Sequence, residues 1–171
     1  IAVIKADAYG HGAVPIARML EEFDYIWGFA AATAQEALQL RKAGITRPIL
    51  ILGLVFEEYY KKLAENDVRM AVCDYETARK FDKAAEAAGK KGLIHLAADT
   101  GMTRIGFKDR EESLEEIRRI AALPNVEIEG LFTHFARADE YDRTPAMVQL
   151  KRYLKRSDLL EKNGSHIPLH H

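Results

Sequence analysis

Lys5 closes an otherwise apolar run, Ile1-Ala2-Val3-Ile4, and is followed by Ala6. A central parallel strand is buried on both faces, so an ammonium there is costly unless it is paired or used chemically. An amine desolvated in this way is a good nucleophile toward an aldehyde. The alternative is a lysine at the strand's end, its stem on apolar surface and its head in water. Asp7-Ala8-Tyr9-Gly10-His11-Gly12 comes next. Its two glycines permit close backbone approach or positive φ, and Tyr9 supplies a hydroxyl, a combination that suits phosphate as well as a plain strand-to-helix turn. Further along stands Asp99-Thr100-Gly101-Met102-Thr103-Arg104-Ile105-Gly106. A planar guanidinium such as Arg104 grips a carboxylate or phenolate oxygen, or pairs structurally with Asp99. His134 ends the run Gly130-Leu131-Phe132-Thr133-His134, where a hydrogen-bonded core histidine is commoner than a catalyst.

Positioning these groups requires a regular scaffold. Short β-branched runs alternate with longer helical stretches. Strands are expected at 1–6, 27–31, 48–53, 70–73, 93–97 and 126–132, with a seventh from Ile167 onward. Between them lie helices at 13–23, 33–43, 57–65, from Asp74 or Tyr75 onward, at 111–123 and at 147–162. Thr33 with Glu36 forms a capping box. No hairpin signal interrupts the alternation, so the sheet is parallel with helical crossovers. A doubly wound sheet and a (β/α)8 barrel both satisfy this pattern, and periodicity does not choose between them. In either fold ligands bind at the C-terminal ends of the strands, which is where all the segments above fall. His95, inside the fifth strand, is assigned to packing.

Composition excludes several classes. The chain has 171 residues and a formal charge of −1, giving no long-range attraction to nucleic acid or anionic lipid. No apolar run is long enough to span a bilayer, and with no basic-then-apolar stretch in these residues no secretory leader is expected. The single cysteine, Cys73, has no partner for an internal disulfide and reads as a small buried hydrophobe, in keeping with a cytoplasmic protein. No His, Cys or carboxylate cluster has metal-ligand spacing. The apolar opening and the closing Ile167-Pro168-Leu169 both read as core strand, so a fragment of a longer protein is expected.

Three segments together resemble the alanine racemase family, a fold type III pyridoxal-phosphate family. They are Ala2-Val3-Ile4-Lys5-Ala6-Asp7-Ala8-Tyr9-Gly10-His11-Gly12, Asp99 to Phe107, and Gly130-Leu131-Phe132-Thr133-His134-Phe135-Ala136, in the family's order and at about its spacing. Gly28-Phe29-Ala30, Glu36-Ala37, Leu40-Arg41 and Pro48-Ile49-Leu50 match as well. The resemblance implies that 1–171 is part of a (β/α)8 TIM-type barrel, about six to seven βα units, without the C-terminal β domain. It further implies pyridoxal 5'-phosphate as cofactor, an amino acid substrate, a homodimer, and interconversion of L- and D-alanine for D-alanine supply to the cell wall. Lys5 would form the internal aldimine and serve as one acid/base group. Tyr9 would contact the cofactor phosphate, Arg104 would hold the phenolic oxygen and the substrate carboxylate, and His134 would lie against the ring. The second base, a tyrosine, would come from the partner's C-terminal domain, so residues 1–171 alone are expected to be inactive. Related readings are a racemase of serine or another amino acid, and a non-catalytic carrier of the same cofactor. One departure stands out: many family members have a lysine where this chain has Ala97.

Overall fold

The computed structural model describes residues 1–171. Its seven strands are β1 (Ala2–Val3), β2 (Phe29–Ala31), β3 (Ile49–Ile51), β4 (Val68–Val72), β5 (Gly92–Ala98), β6 (Val126–Thr133) and β7 (Leu169–His170). They form one sheet in the order β1-β2-β3-β4-β5-β6-β7, every neighbouring pair parallel. A doubly wound sheet must reverse its strand order at a switch point. This one never reverses, and it curls as an incomplete (β/α)8 barrel. The crossovers carry α2 (Ala13–Glu21), α3 (Ala34–Lys42), α4 (Tyr60–Glu65), α5 (Tyr75–Ala88), α6 (Glu111–Ala121) and α7 (Thr144–Lys162). Helix starts follow local chemistry. Thr33 and Glu36 complete the expected capping box of α3, and the Asp74 carboxylate accepts from Thr77 N at 2.7 Å to cap α5.

Side-chain alternation divides the sheet into two faces. Ile49, Ile51, Val68, Met70, Val72, Ile94, Leu96 and Leu131 join the main core with the helical Ala37, Leu40, Leu63, Phe81, Ile117 and Ile120. The opposite face holds a small cluster, Ala71, Ala97 and Phe132, flanked by Leu52, Cys73 and Ile105. Arg69 and His95 share that face by strand parity.

Two local departures from regularity matter. The first corrects the expected strand 1–6. Pairing stops at Val3, and the segment labelled α1 (Lys5–Tyr9) winds left-handed, with Ala6, Asp7, Ala8 and Tyr9 at φ 52–54°. Lys5 is therefore at the strand's exit and only partly buried, not inside a strand buried on both faces. The second is a β-bulge: Ile94 pairs with Ile128 but His95 pairs with Gly130, leaving Glu129 as the extra residue. A bulge puts two consecutive residues on one face. Here it turns both the Glu129 carboxylate and the bare Gly130 toward His95.

Gly130 has no room for a side chain, since a Cβ would lie 2.7 Å from His95 Cε1 and 2.8 Å from Cγ. Gly130→Ala should cost about 1–3 kcal/mol of stability through overpacking, read from urea unfolding. An unchanged midpoint would mean that the His95 ring moves freely.

Candidate active site

Lys5 and Arg104 line one cavity of about 410 Å³, together with Ala32, Leu52, Gly53, Leu54 and Ile105. Arg104 also lines an adjoining crevice with His134, Thr133, Asp99, Met102 and Phe132. Burial lowers the pKa of His134, and the positive charges of Arg104 and Lys5 lower it further. Both effects favour the neutral form of the imidazole. Neither Lys5 nor Arg104 enters any ion pair of the chain. The Asp99 carboxylate is engaged elsewhere, accepting from Gly101 N at 3.0 Å and Thr103 N at 2.9 Å, which removes the reading of Arg104 as its structural partner. Tyr9 stands apart. It is 61% exposed at the end of the left-handed turn and lines neither cavity.

The Arg104 loop is held at both ends. Asp99 N donates to Phe107 O at 3.0 Å, and Phe107 N donates to Ala97 O at 2.8 Å, so the loop folds back on the end of β5. Gly106 sits at φ 118°, where a Cβ would lie 2.7 Å from Asp99 N. Helix α7 then ties this loop to the one after β6. Buried Gln149 donates through Nε2 to Thr100 Oγ1 at 3.0 Å and His134 O at 3.3 Å, and its Oε1 accepts from Ala136 N at 2.9 Å. Arg152 donates to Thr100 O at 3.0 Å, and Arg156 to Lys108 O and Asp109. Sequence reasoning missed these supports, because polar residues on a long amphipathic helix read as solvated.

A second polar group lies deeper on the same face of the sheet. Arg69 donates twice to Glu129, at 2.9 and 3.0 Å, and the Glu129 carboxylate is 3.1 Å from His95 Nε2. His95 Nδ1 is in turn 2.8 Å from His171 Nε2, and the His171 ring stacks on Phe132. His95 is fully buried, so packing is part of its role, but it is also the centre of this network. Its sequence signal was parity: His95 shares a face with Ala97, opposite Ile94 and Leu96. Cys73 behaves as expected of an inert thiol, pushed up to about 11 by burial and by the neighbouring Asp74. No group of three or more His, Cys, Asp or Glu could hold a metal. No helix is long and apolar enough to cross a membrane.

Comparison with known proteins agrees with this architecture. The family model "Alanine racemase, N-terminal domain" matches residues 1–171. An alanine racemase of Methanococcus maripaludis is 44% identical over 171 residues, all of this chain and 46% of that protein. The chain thus spans under half the length of that relative. Among solved structures, alanine racemase of Clostridium difficile in complex with cycloserine superposes with TM-score 0.96 at 42% identity, over 99% of this chain and 46% of that one. A histidine racemase of Leuconostoc mesenteroides is more distant, with TM-score 0.81 and 31% identity over 90% of this chain and 41% of the other.

The buried network has a consequence for acid stability. Burial alone would raise the pKa of Glu129, but hydrogen bonds from His95 and Arg69, with the charge of Arg69, hold it down to about 2. A carboxyl depressed in the folded state stabilises the fold above its ordinary pKa of 4.5, and that stabilisation is lost as pH falls toward 2. Glu129→Gln leaves Arg69 uncompensated, and should cost about 3 kcal/mol at pH 7. It should also flatten the stability profile between pH 4.5 and 2. A variant with the wild-type acid profile would show that Glu129 does not carry this dependence.

Proposed function

The chain belongs to the alanine racemase family by its match to the N-terminal domain, and on that premise we propose that its parent protein interconverts L- and D-alanine using pyridoxal 5'-phosphate. The observation that carries this reading is the shared cavity: an amine and a guanidinium, distant in sequence, line one space with no carboxylate to neutralise them. That donor set fits the proposed group. A free lysine amine is what an aldehyde requires, and an unpaired guanidinium suits an anionic phenolic or carboxylate oxygen.

When bound, pyridoxal phosphate supplies an electron sink that acidifies the substrate's α-carbon proton. Lys5 would hold the cofactor aldehyde and, through its Nζ, would move a proton at one face of that carbon. Arg104 would bind the phenolic oxygen and orient the substrate carboxylate. His134, its pKa lowered by burial and by the charges of Arg104 and Lys5, would lie against the ring. Tyr9, exposed at the end of the turn and outside both cavities, would contact the phosphate through its hydroxyl. The second proton-moving group is a tyrosine from the C-terminal domain of a partner subunit in a homodimer. Residues 1–171 thus form the barrel part of a two-domain enzyme, and the product is D-alanine for the cell wall.

Ala97 bears on how Arg104 is held. It is buried against Ala71 and Phe132, its methyl offers no acceptor, and no carboxylate of the chain pairs with the guanidinium instead. A second reading, racemisation of another amino acid on the same barrel, is favoured by the likeness to a histidine racemase. The residues near the reacting carbon are common to both readings, so only turnover separates them.

The test uses the intact protein. Incubation with pyridoxal phosphate followed by borohydride should label Lys5, mapped by mass spectrometry, and Lys5→Ala should abolish both the label and alanine racemisation. Label distributed over surface lysines would overturn the assignment of Lys5. Turnover of histidine or serine in preference to alanine would overturn the substrate.

A further inference from the structure

We propose that Glu36 is a positioning residue for Lys5, fixing the direction in which its side chain leaves the backbone; the role rests on the reading of Lys5 given above. The turn after Lys5 is held in an unfavourable backbone conformation. Ala6, Asp7, Ala8 and Tyr9 all lie at φ 52–54°, and none is glycine. L-residues avoid this region because Cβ crowds the following carbonyl, so a run of four must be held by its surroundings. Part of the restraint is internal. Ala8 N donates to Ile4 O at 2.9 Å, Gly12 N donates to Asp7 O at 2.9 Å, and the Asp7 carboxylate takes Ala13 N at 2.7 Å.

The Ala6 N–H has no such local acceptor. It donates to Glu36 Oε1 at 2.8 Å, across thirty residues of sequence. The other oxygen, Oε2, accepts from Ala32 N at 2.8 Å and Thr33 N at 3.2 Å. Capping α3 needs only the reach back to Thr33. Turning Oε1 to Ala6 is a second task, which the cap does not require. The Ala6 nitrogen belongs to the same planar peptide unit as the Lys5 carbonyl, so holding it, while Ile4 N donates to Ala30 O at 2.9 Å just before, restrains the backbone on both sides of the Lys5 Cα. Ala32, held by the same carboxylate, lines the Lys5–Arg104 cavity. One side chain therefore joins three points: the Lys5 turn, the exit of β2 and the start of α3. Glu36 does not line that cavity, so its effect on chemistry would be exerted through Lys5.

Separating this role from simple capping requires a control that breaks the cap alone. Thr33→Ala does so, since Thr33 Oγ1 accepts from Glu36 N and has no contact with the Lys5 turn. In the intact protein, Glu36→Ala, Glu36→Gln and Thr33→Ala are compared by thermal midpoint and by the rate at which pyridoxal phosphate is trapped on Lys5 with borohydride. Glu36→Ala and Thr33→Ala should both lower the midpoint. Only the Glu36 variants should slow labelling of Lys5, by about tenfold for Glu36→Ala, as expected for one lost charge-assisted hydrogen bond. Glu36→Gln, near-isosteric, keeps one acceptor oxygen and should fall between, and it serves if Glu36→Ala does not fold. Labelling of Glu36→Gln or Glu36→Ala at the Thr33→Ala rate would overturn the positioning role while leaving the assignment of Lys5 intact. A wild-type protein that does not label at Lys5 would overturn both.

Discussion

Parallel pairing of each strand with its predecessor in the chain imposes the geometry on which everything else depends. Such pairing requires the chain to return to the same end of the sheet after every strand, so each crossover helix packs against the same face. The residues facing the helices become the main core. The loops that leave the strands gather at one rim. Lys5, the Arg104 loop and His134 are remote in sequence and adjacent in space for this reason, because each follows the end of a strand, β1, β5 and β6. The rim brings them together, and the Gln149, Arg152 and Glu36 contacts then hold them there.

Below the rim the inward face had to be filled differently. Ala71 and Ala97 leave room, Phe132 occupies it, and Arg69, Glu129 and His95 lie deeper. Desolvating an ion pair usually costs as much as its attraction returns, unless the geometry is good and the remaining polar atoms find partners. Both conditions hold here: the guanidinium meets the carboxylate twice, and the second carboxylate contact is to an imidazole that is itself bonded to His171. The bulge at Glu129 makes this possible. In a regular strand Glu129 and Gly130 would point to opposite faces, and the carboxylate could not meet His95 above a glycine.

Much of this fold is legible in the residues, because element type is a local property. Apolar period, capping at Thr33 and Asp74, and glycines after strands mark most elements to within a few residues. Strand order is not local, so the same periodicity served a doubly wound sheet and a barrel equally well. The motifs around Lys5, Arg104 and His134 were recognisable as chemistry, and the cavity joins Lys5 to Arg104. The environment of Lys5 was misread for a physical reason. Apolar residues from Ile1 to Ile4 suggest a long buried strand, whereas pairing ends at Val3 and a left-handed turn begins. Residue type alone does not specify that turn, which is held by local bonds such as Ala13 N to the Asp7 carboxylate together with the distant Glu36 carboxylate. Glu36 was visible only as half of a capping box, since its second bond depends on the tertiary fold.

The rim also carries a charge imbalance. Bringing Lys5 and Arg104 to one cavity, with no carboxylate paired to either, leaves two like charges to repel each other in partly desolvated surroundings. Burial lowers the pKa of His134 most, and the charges of Arg104 and Lys5 lower it further, so the same field reaches the imidazole. A fold that keeps such an arrangement is less stable for it, by itself. The repulsion is relieved when an anion enters between the cations, and by linkage whatever relieves it binds more tightly to the folded chain and stabilises it. Helix α7, through Gln149 and Arg152, resists the alternative in which the Arg104 loop swings away. The cations are therefore held together before any ligand arrives, and binding need not bear the cost of assembling them.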